Sequence, residues 1–263
     1  MSRPNLLDLC CCQGGASAGY HRAGFDVVGV DRALKRLPDG TWIDDPAIPA
    51  RYPFEFIKAD AFEVLADASF MARFDAVHAS WPCQTWSVAS KYRGTADRHV
   101  DLLTPGREAM VAAGLPWVIE NVPGSPMRAD YLLCGCMFDL PGLRRERWFE
   151  TSWHGFSMNL CHDHREPVIT VAGHGPPSWV RSEARPVRVT DWRKAMGIDW
   201  MTRDGLAQAI PPAYTELVGK HLLAALADGP VGGERGGEDP VDGLPRPRGV
   251  VLQPSAVALG GTE

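Results

Sequence analysis

Three short stretches hold residue types that could make or break covalent bonds. Trp81-Pro82-Cys83-Gln84-Thr85-Trp86-Ser87 follows an apolar run and carries a thiol flanked by proline and polar residues, the setting of a loop. A thiolate there could attack electron-poor carbon; a buried structural thiol is the plainer reading of a single cysteine. Glu120-Asn121-Val122 ends the apolar run Pro116 to Val122, which should desolvate Glu120 and raise its pKa, so that a protonated carboxyl could donate to a ring nitrogen. As the plainer alternative, Glu120 caps a helix or sits in an ion pair. In the third stretch, Leu6 to Phe25, LLDLCCCQGGASAGYHRAGF passes from an apolar run through Gly14-Gly15 into helix-forming residues, and such a turn can bring backbone N–H groups close to a ligand. Asp31 and Asp60 each end a later apolar run, where one carboxylate could accept from both hydroxyls of a ribose and the other hold an adenine amino group. Either alone would read as a solvated helix cap. No G-x-G-x-x-G phosphate loop is present, which favours adenosylmethionine over a dinucleotide.

The elements that must position these residues show as a β-α-β rhythm. LLDLC, DVVGV, EFIKA, FDAVHA and PWVIENV are short, nearly continuous apolar runs, the pattern of parallel strands buried on both faces. ASAGYHRAG and GREAMVAAG between them end in glycine, as helix C-termini do. The fold class expected from this rhythm is α/β, a doubly wound Rossmann-like sheet. Four prolines between Arg36 and Pro53 predict an irregular loop over the sheet edge. RWFETS and PVITVAG read as strands, and helices are expected from Asp191 and over Ala213 to Ala227. The resulting division is a first part over 1–151, a short segment over 152–189, returning helices over 190–227 and a Gly- and Pro-rich tail over 228–263, expected to be disordered.

The chain has 263 residues, 45% apolar and 22% charged, enough for one sizeable core and too few for two enzymes. Asp8 interrupts the first apolar run too early for a signal peptide or a spanning helix, so a cytoplasmic protein with no membrane partner is expected. Seven cysteines, three of them adjacent at Cys10, Cys11 and Cys12, read as reduced thiols. The net charge of -5 is unusual for a nucleic-acid partner, but Arg144 to Lys194 holds nine Arg and Lys against six Asp and Glu. Cys161, His162 and His164 lack a matching second ligand pair, so no metal is expected.

DLCCCQGGASAGYHRAGF, VVGVD, PCQTWS, IENV, RRERWF and QAIPPAYTELVG stand in the order found in the DNA (cytosine-5) methyltransferases, and the chain resembles that family from Leu6 to Leu226, most closely its compact phage or prophage orphans. The resemblance implies that the α/β fold is a doubly wound Rossmann-like methyltransferase sheet, with a catalytic, cofactor-binding part over 1–151 and a small target-recognition lobe over 152–189, and that the chain methylates cytosine carbon 5 in double-stranded DNA, with S-adenosylmethionine as the cofactor and the base flipped out of the helix. It assigns catalysis to Cys83, Glu120, Arg145 and Arg147, with Arg147 nearest the base. The cofactor would be held by Cys12, Gly14, Gly15, Asp31, Asp60, Pro82, Gln208 and Ala209, and the substrate by Gln84, Ser87 and Asn121. A monomer is expected, and a restriction endonuclease partner is left open. The chain departs from the pattern at Cys10 and Cys12, where the family usually has Phe and Gly, and at Ala207 and Gln208, where Gly and Asn usually precede the Pro211-Pro212 pair. These departures bear on cofactor affinity. The same residues suit an RNA cytosine methyltransferase or a catalytically silent cofactor- or DNA-binding module; a nicotinamide dehydrogenase would leave Pro-Cys-Gln and Glu-Asn-Val without a task.

Overall fold

The computed structural model describes residues 2–37, 39–87, 90, 94, 99–140, 142–153, 169, 171 and 188–228. Most of the expected recognition segment, with its Cys161, His162 and His164, and the tail from 229 lie outside the described residues.

The core is a seven-stranded sheet of β1 (Asn5–Leu9), β2 (Asp26–Asp31), β5 (Glu55–Lys58), β6 (Ala76–Ala79), β7 (Trp117–Asn121), β8 (Tyr131–Leu133) and β9 (Arg147–Thr151), in the order β5-β2-β1-β6-β7-β9-β8. The first five in this order run parallel, and β9 lies antiparallel between β7 and β8. β6 and β7 are buried at every position, which is why they read as unbroken apolar runs.

Alternation along each strand divides the core between the two faces. Leu7, Leu9, Val77 and Ile119 face one way, toward α3 (Ala61–Ala66), α4 (Ala68–Met71) and α5 (Leu103–Ala112). Leu6, Val27, Ala76 and Val118 face the other way, toward α1 (Gly15–Ala23) and α8 (Pro212–Ala227). On α8 the residues Tyr214, Val218 and Leu222 recur every four positions and are fully buried, each worth about 1.5–3 kcal/mol of apolar burial. α1 and α8 approach so closely that a Cβ on Gly19 would lie 2.0 Å from Thr215 Oγ1, whose hydroxyl donates to the Ala16 carbonyl at 2.9 Å. A third cluster, built on Trp192 and Met196 of α6 (Val189–Met196) and Leu206 of α7 (Arg203–Gln208), includes Ala209.

Two expectations need correction. The stretch from Arg36 to Pro53 is not irregular throughout: β3 (Leu34–Arg36) pairs with β4 (Trp42–Asp44) in a hairpin, and α2 (Ala47–Arg51) follows. Trp42 and Ile43 are exposed, so no buried periodicity marked the hairpin in the sequence. The LLDLC run ends as a strand at Leu9, and Cys10, like Cys12, has left-handed backbone, with φ of 56° and 48°. Cys10, Cys11 and Cys12 are all free thiols. No described helix is long and apolar enough to cross a membrane.

Candidate active site

Strand order reverses direction at β1: from it the chain runs out through β2 to β5 on one side and then crosses to β6 and β7 on the other, and a crevice at the carboxyl ends of such strands is where doubly wound sheets bind ligands. The loop after β1, Asp31 at the end of β2, Asp60 after β5, the Pro82-Cys83 loop after β6 and Glu120 near the end of β7 all lie at this edge.

Asp31 organises the cofactor side. Its Oδ2 accepts from the Cys12 backbone N–H at 3.0 Å and its Oδ1 from Ala33 N–H at 2.7 Å. Burial raises its pKa and these two donors work against that rise. Gly14 has φ of 84°, and a Cβ on it would meet Pro53 Cδ at 2.8 Å; one on Gly15 would meet the Ile210 carbonyl at 2.6 Å. The glycine pair is therefore set by close packing of the loop on Tyr52, Pro53 and Ile210. Ala209, buried, closes on Gly15, whereas Gln208 is exposed at the end of α7. Asp60 caps α3 by accepting from Phe62 N–H at 2.9 Å, and it lies 3.8 Å from Arg32.

Gln13 carried no signal in the sequence, yet it fastens this loop. Its Oε1 accepts from Thr202 N–H at 2.9 Å, its Nε2 donates to Thr202 Oγ1 at 3.0 Å, and its carbonyl accepts from Trp200 Nε1 at 2.9 Å. Only contact across the fold reveals this.

On the reacting side, Arg147 Nε lies 2.9 Å from Glu120 Oε1. Burial raises the Glu120 pKa; the Arg147 and Arg145 charges and a hydrogen bond from Ser80 partly offset it. Burial also raises the Cys83 thiol, and the Arg147 charge opposes that rise. Cys83 begins a helical turn, its carbonyl accepting from Trp86 and Ser87 N–H at 3.0 and 2.9 Å. Pro82 precedes it, and Trp81 stacks on Phe62 with centroids 5.1 Å apart. Gln84 is exposed, and Ser87 Oγ donates to Ser90 Oγ at 2.9 Å.

Arg145 lies just before β9 and donates Nη1 to the Val171 carbonyl (2.7 Å) and Nη2 to the Ala207 carbonyl (2.9 Å), fastening α7. Asn121 is also a strut. It is 1% exposed, donates to the Trp81 carbonyl at 2.9 Å and accepts from Ser125 Oγ at 2.8 Å, tying the Pro-Cys loop to the strand of Glu120.

Among solved structures, the chain is similar to a DNA modification methyltransferase encoded within an Escherichia coli prophage, with a TM-score of 0.52, 15% identity, and coverage of 85% of this chain and 99% of that one. It is similar to the Entamoeba histolytica methyltransferase EhMeth (TM-score 0.50, 11% identity, 86% and 99% covered) and to the Schizosaccharomyces pombe Dnmt2 methyltransferase (TM-score 0.50, 12% identity, 86% and 99% covered). The chain has a Rossmann-like methyltransferase fold. No protein-family profile matches this methyltransferase-fold chain, and no curated protein matches it in sequence.

Proposed function

We propose that the protein is an S-adenosylmethionine-dependent DNA cytosine-5 methyltransferase with Cys83 as its nucleophile. The observation that carries this reading is the convergence of a thiol, a buried carboxyl and a guanidinium: Cys83 stands within the electrostatic reach of Glu120 and Arg147, which are themselves 2.9 Å apart. Thiol, acid and cation at one sheet edge suit addition to an electron-poor ring better than hydride transfer.

The residues at the other end of the edge fit an adenosyl group. Asp31 has each oxygen committed to one backbone N–H and retains a lone pair on each for the ribose hydroxyls. When bound, the cofactor supplies an electrophilic methyl group.

In the reaction Cys83, as thiolate, forms a bond to ring carbon 6, while Glu120 gives its proton to N3 so that the electron pair displaced from the carbon 5–carbon 6 bond can act from carbon 5. Carbon 5 takes the methyl group and then loses its proton to water. The carbon 6–sulfur bond breaks, Cys83 leaves with its electron pair, and N3 returns its proton to Glu120. Arg147 keeps the Glu120 carboxyl fixed through both transfers and lowers the cost of the thiolate.

The assay that tests this uses labelled adenosylmethionine with unmethylated duplex DNA and, separately, bulk tRNA, followed by mass spectrometry of the methylated base. Formation of 5-methylcytosine in DNA is expected. Label in tRNA alone would move the substrate to RNA, and no transfer despite cofactor binding would make the protein a silent module.

A further inference from the structure

Arg22 of α1 and Arg193 and Lys194 of α6 line one pocket of about 310 Å³, together with Gly197, Asp199 and Trp200. None of the three cations belongs to the site at the strand ends. Each sits in the last turn of its helix, where a positive charge suits the partial negative charge of the terminal carbonyls. That polarity accounts for each cation singly. It does not account for two helices bringing their cations to the same hollow, where like charges repel unless an anion lies between them.

The donors in this hollow are largely uncommitted. Gly24 and Gly197 already cap the two helices, the first donating to the Tyr20 and His21 carbonyls and the second to those of Arg193 and Lys194, so the helix ends make no demand on the cations. The Arg22 and Lys194 side chains have no hydrogen bond or ion pair among the described residues, and Arg193 uses only Nη2, which donates to the Met201 carbonyl at 3.0 Å. The Arg193 Nε is buried and lacks a hydrogen-bond partner among the described residues. A buried donor without an acceptor is costly, and an anion supplies the acceptor. Among the described lining residues Asp199 is the one carboxylate, against three cations.

One wall is fixed before any ligand arrives. Trp200 donates Nε1 to the Gln13 carbonyl at 2.9 Å, and its own carbonyl accepts from Arg51 Nη1 at 3.1 Å, so the loop after β1 and the end of α2 both hold it. The pocket stands at the lower end of the small-molecule range, roughly 300–1,000 Å³. Guanidinium groups match phosphate oxygens with paired N–H donors, and an ammonium adds a compact point charge.

We propose that this pocket is a binding site for a phosphate-bearing small ligand, whose oxygens accept from Arg22, Arg193 and Lys194. The backbone of a duplex is met by cations strung along a face or a helix. Here they line a hollow.

The test is calorimetric titration of the full chain with inorganic pyrophosphate in chloride buffer, repeated on Arg22→Gln, Lys194→Gln and, outside the pocket, Lys220→Gln. Arg22 and Lys194 are exposed, so neither substitution disturbs the core. Saturable binding of one pyrophosphate per chain is expected, weakened about tenfold by Arg22→Gln and by Lys194→Gln. Lys220→Gln, whose lysine pairs with Glu216, should leave it unchanged. Absence of saturable binding, binding that the two pocket variants leave unaltered, or an equal loss in all three variants overturns the proposal. A second arm titrates a short duplex, whose affinity should not move in the pocket variants. A comparable loss there, with duplex displacing pyrophosphate, would assign the phosphate to a nucleic-acid backbone and overturn the small-ligand reading. Neither arm requires methyl transfer.

Discussion

Arg147 Nε stands 2.9 Å from Glu120 Oε1 in an ion pair, and the carboxyl in that pair is 5% exposed. A buried carboxylate is tolerable with such a partner and costly without one. Arg147→Ala should therefore lower stability by on the order of 3 kcal/mol at pH 8. The loss should shrink at pH 5, because Glu120 in the variant takes up a proton that the unfolded chain binds less tightly; a raised carboxyl pKa contributes stability at low pH that disappears as pH rises through the folded value. Urea unfolding at both pH values checks this, and equal losses would contradict it.

Asp8 and His78 give the core two opposite pH dependences. Burial raises the Asp8 pKa from 3.8 to about 7 and lowers that of His78 from 6.5 to about 3. Between those limits the folded protein binds more protons than the unfolded chain at Asp8, so stability falls as pH rises; at His78 it binds fewer, so stability rises. The two slopes largely cancel in the unsubstituted protein. Asp8→Asn should expose the His78 slope, with stability increasing from about pH 4 to 6.5, and His78→Gln should expose the opposite slope up to about pH 7. Denaturant midpoints across this range decide the matter, and parallel profiles for the two variants would refute it.

Gln13 joins the loop after β1 to Thr202 at the start of α7. Gln13→Ala removes both side-chain bonds and strands the Thr202 N–H, at a cost of about 1–3 kcal/mol. With the loop loosened, adenosylmethionine affinity should fall roughly tenfold, about 1.4 kcal/mol. Calorimetric titration measures this; unchanged affinity would show that the latch stabilises the fold without shaping the cofactor site.

A Cβ on Gly106 of α5 would lie 2.2 Å from the Trp81 ring. Gly106→Ala should cost about 1–3 kcal/mol through overpacking, and because Trp81 precedes Pro82 and Cys83 it should also slow methyl transfer in molecules that remain folded. Turnover measured well below the melting temperature separates the two effects. Full activity would mean that Trp81 shifts without carrying the loop with it.

The central strands were legible because a parallel sheet covered on both faces demands continuous apolar runs, and PWVIENV and FDAVHA supply them. The reacting edge was legible because each run stops at a chemically distinctive residue. What escaped the sequence depends on distance. Gln13 meets Thr202 across 189 positions, and nothing local marks either residue. His78 looks like an ordinary member of a strand until Tyr20 and Ser80 are packed against its two ring nitrogens. The carbonyl contacts of Arg145 escaped likewise: its spacing from Arg147 suggests a shared face, but β9 begins only at Arg147, and Arg145 donates to the Val171 and Ala207 carbonyls.

The central claim is that Cys83 bonds to cytosine. The most direct measurement is covalent trapping on duplex DNA of randomised sequence containing 5-fluorocytosine, where fluorine replaces the proton that must leave before the carbon–sulfur bond can break. The account predicts an adenosylmethionine-dependent adduct, stable to denaturation and mapped by peptide mass spectrometry to Cys83, and none with Cys83→Ser. Methylation of cytosine without any adduct, or an adduct on another cysteine, would contradict it.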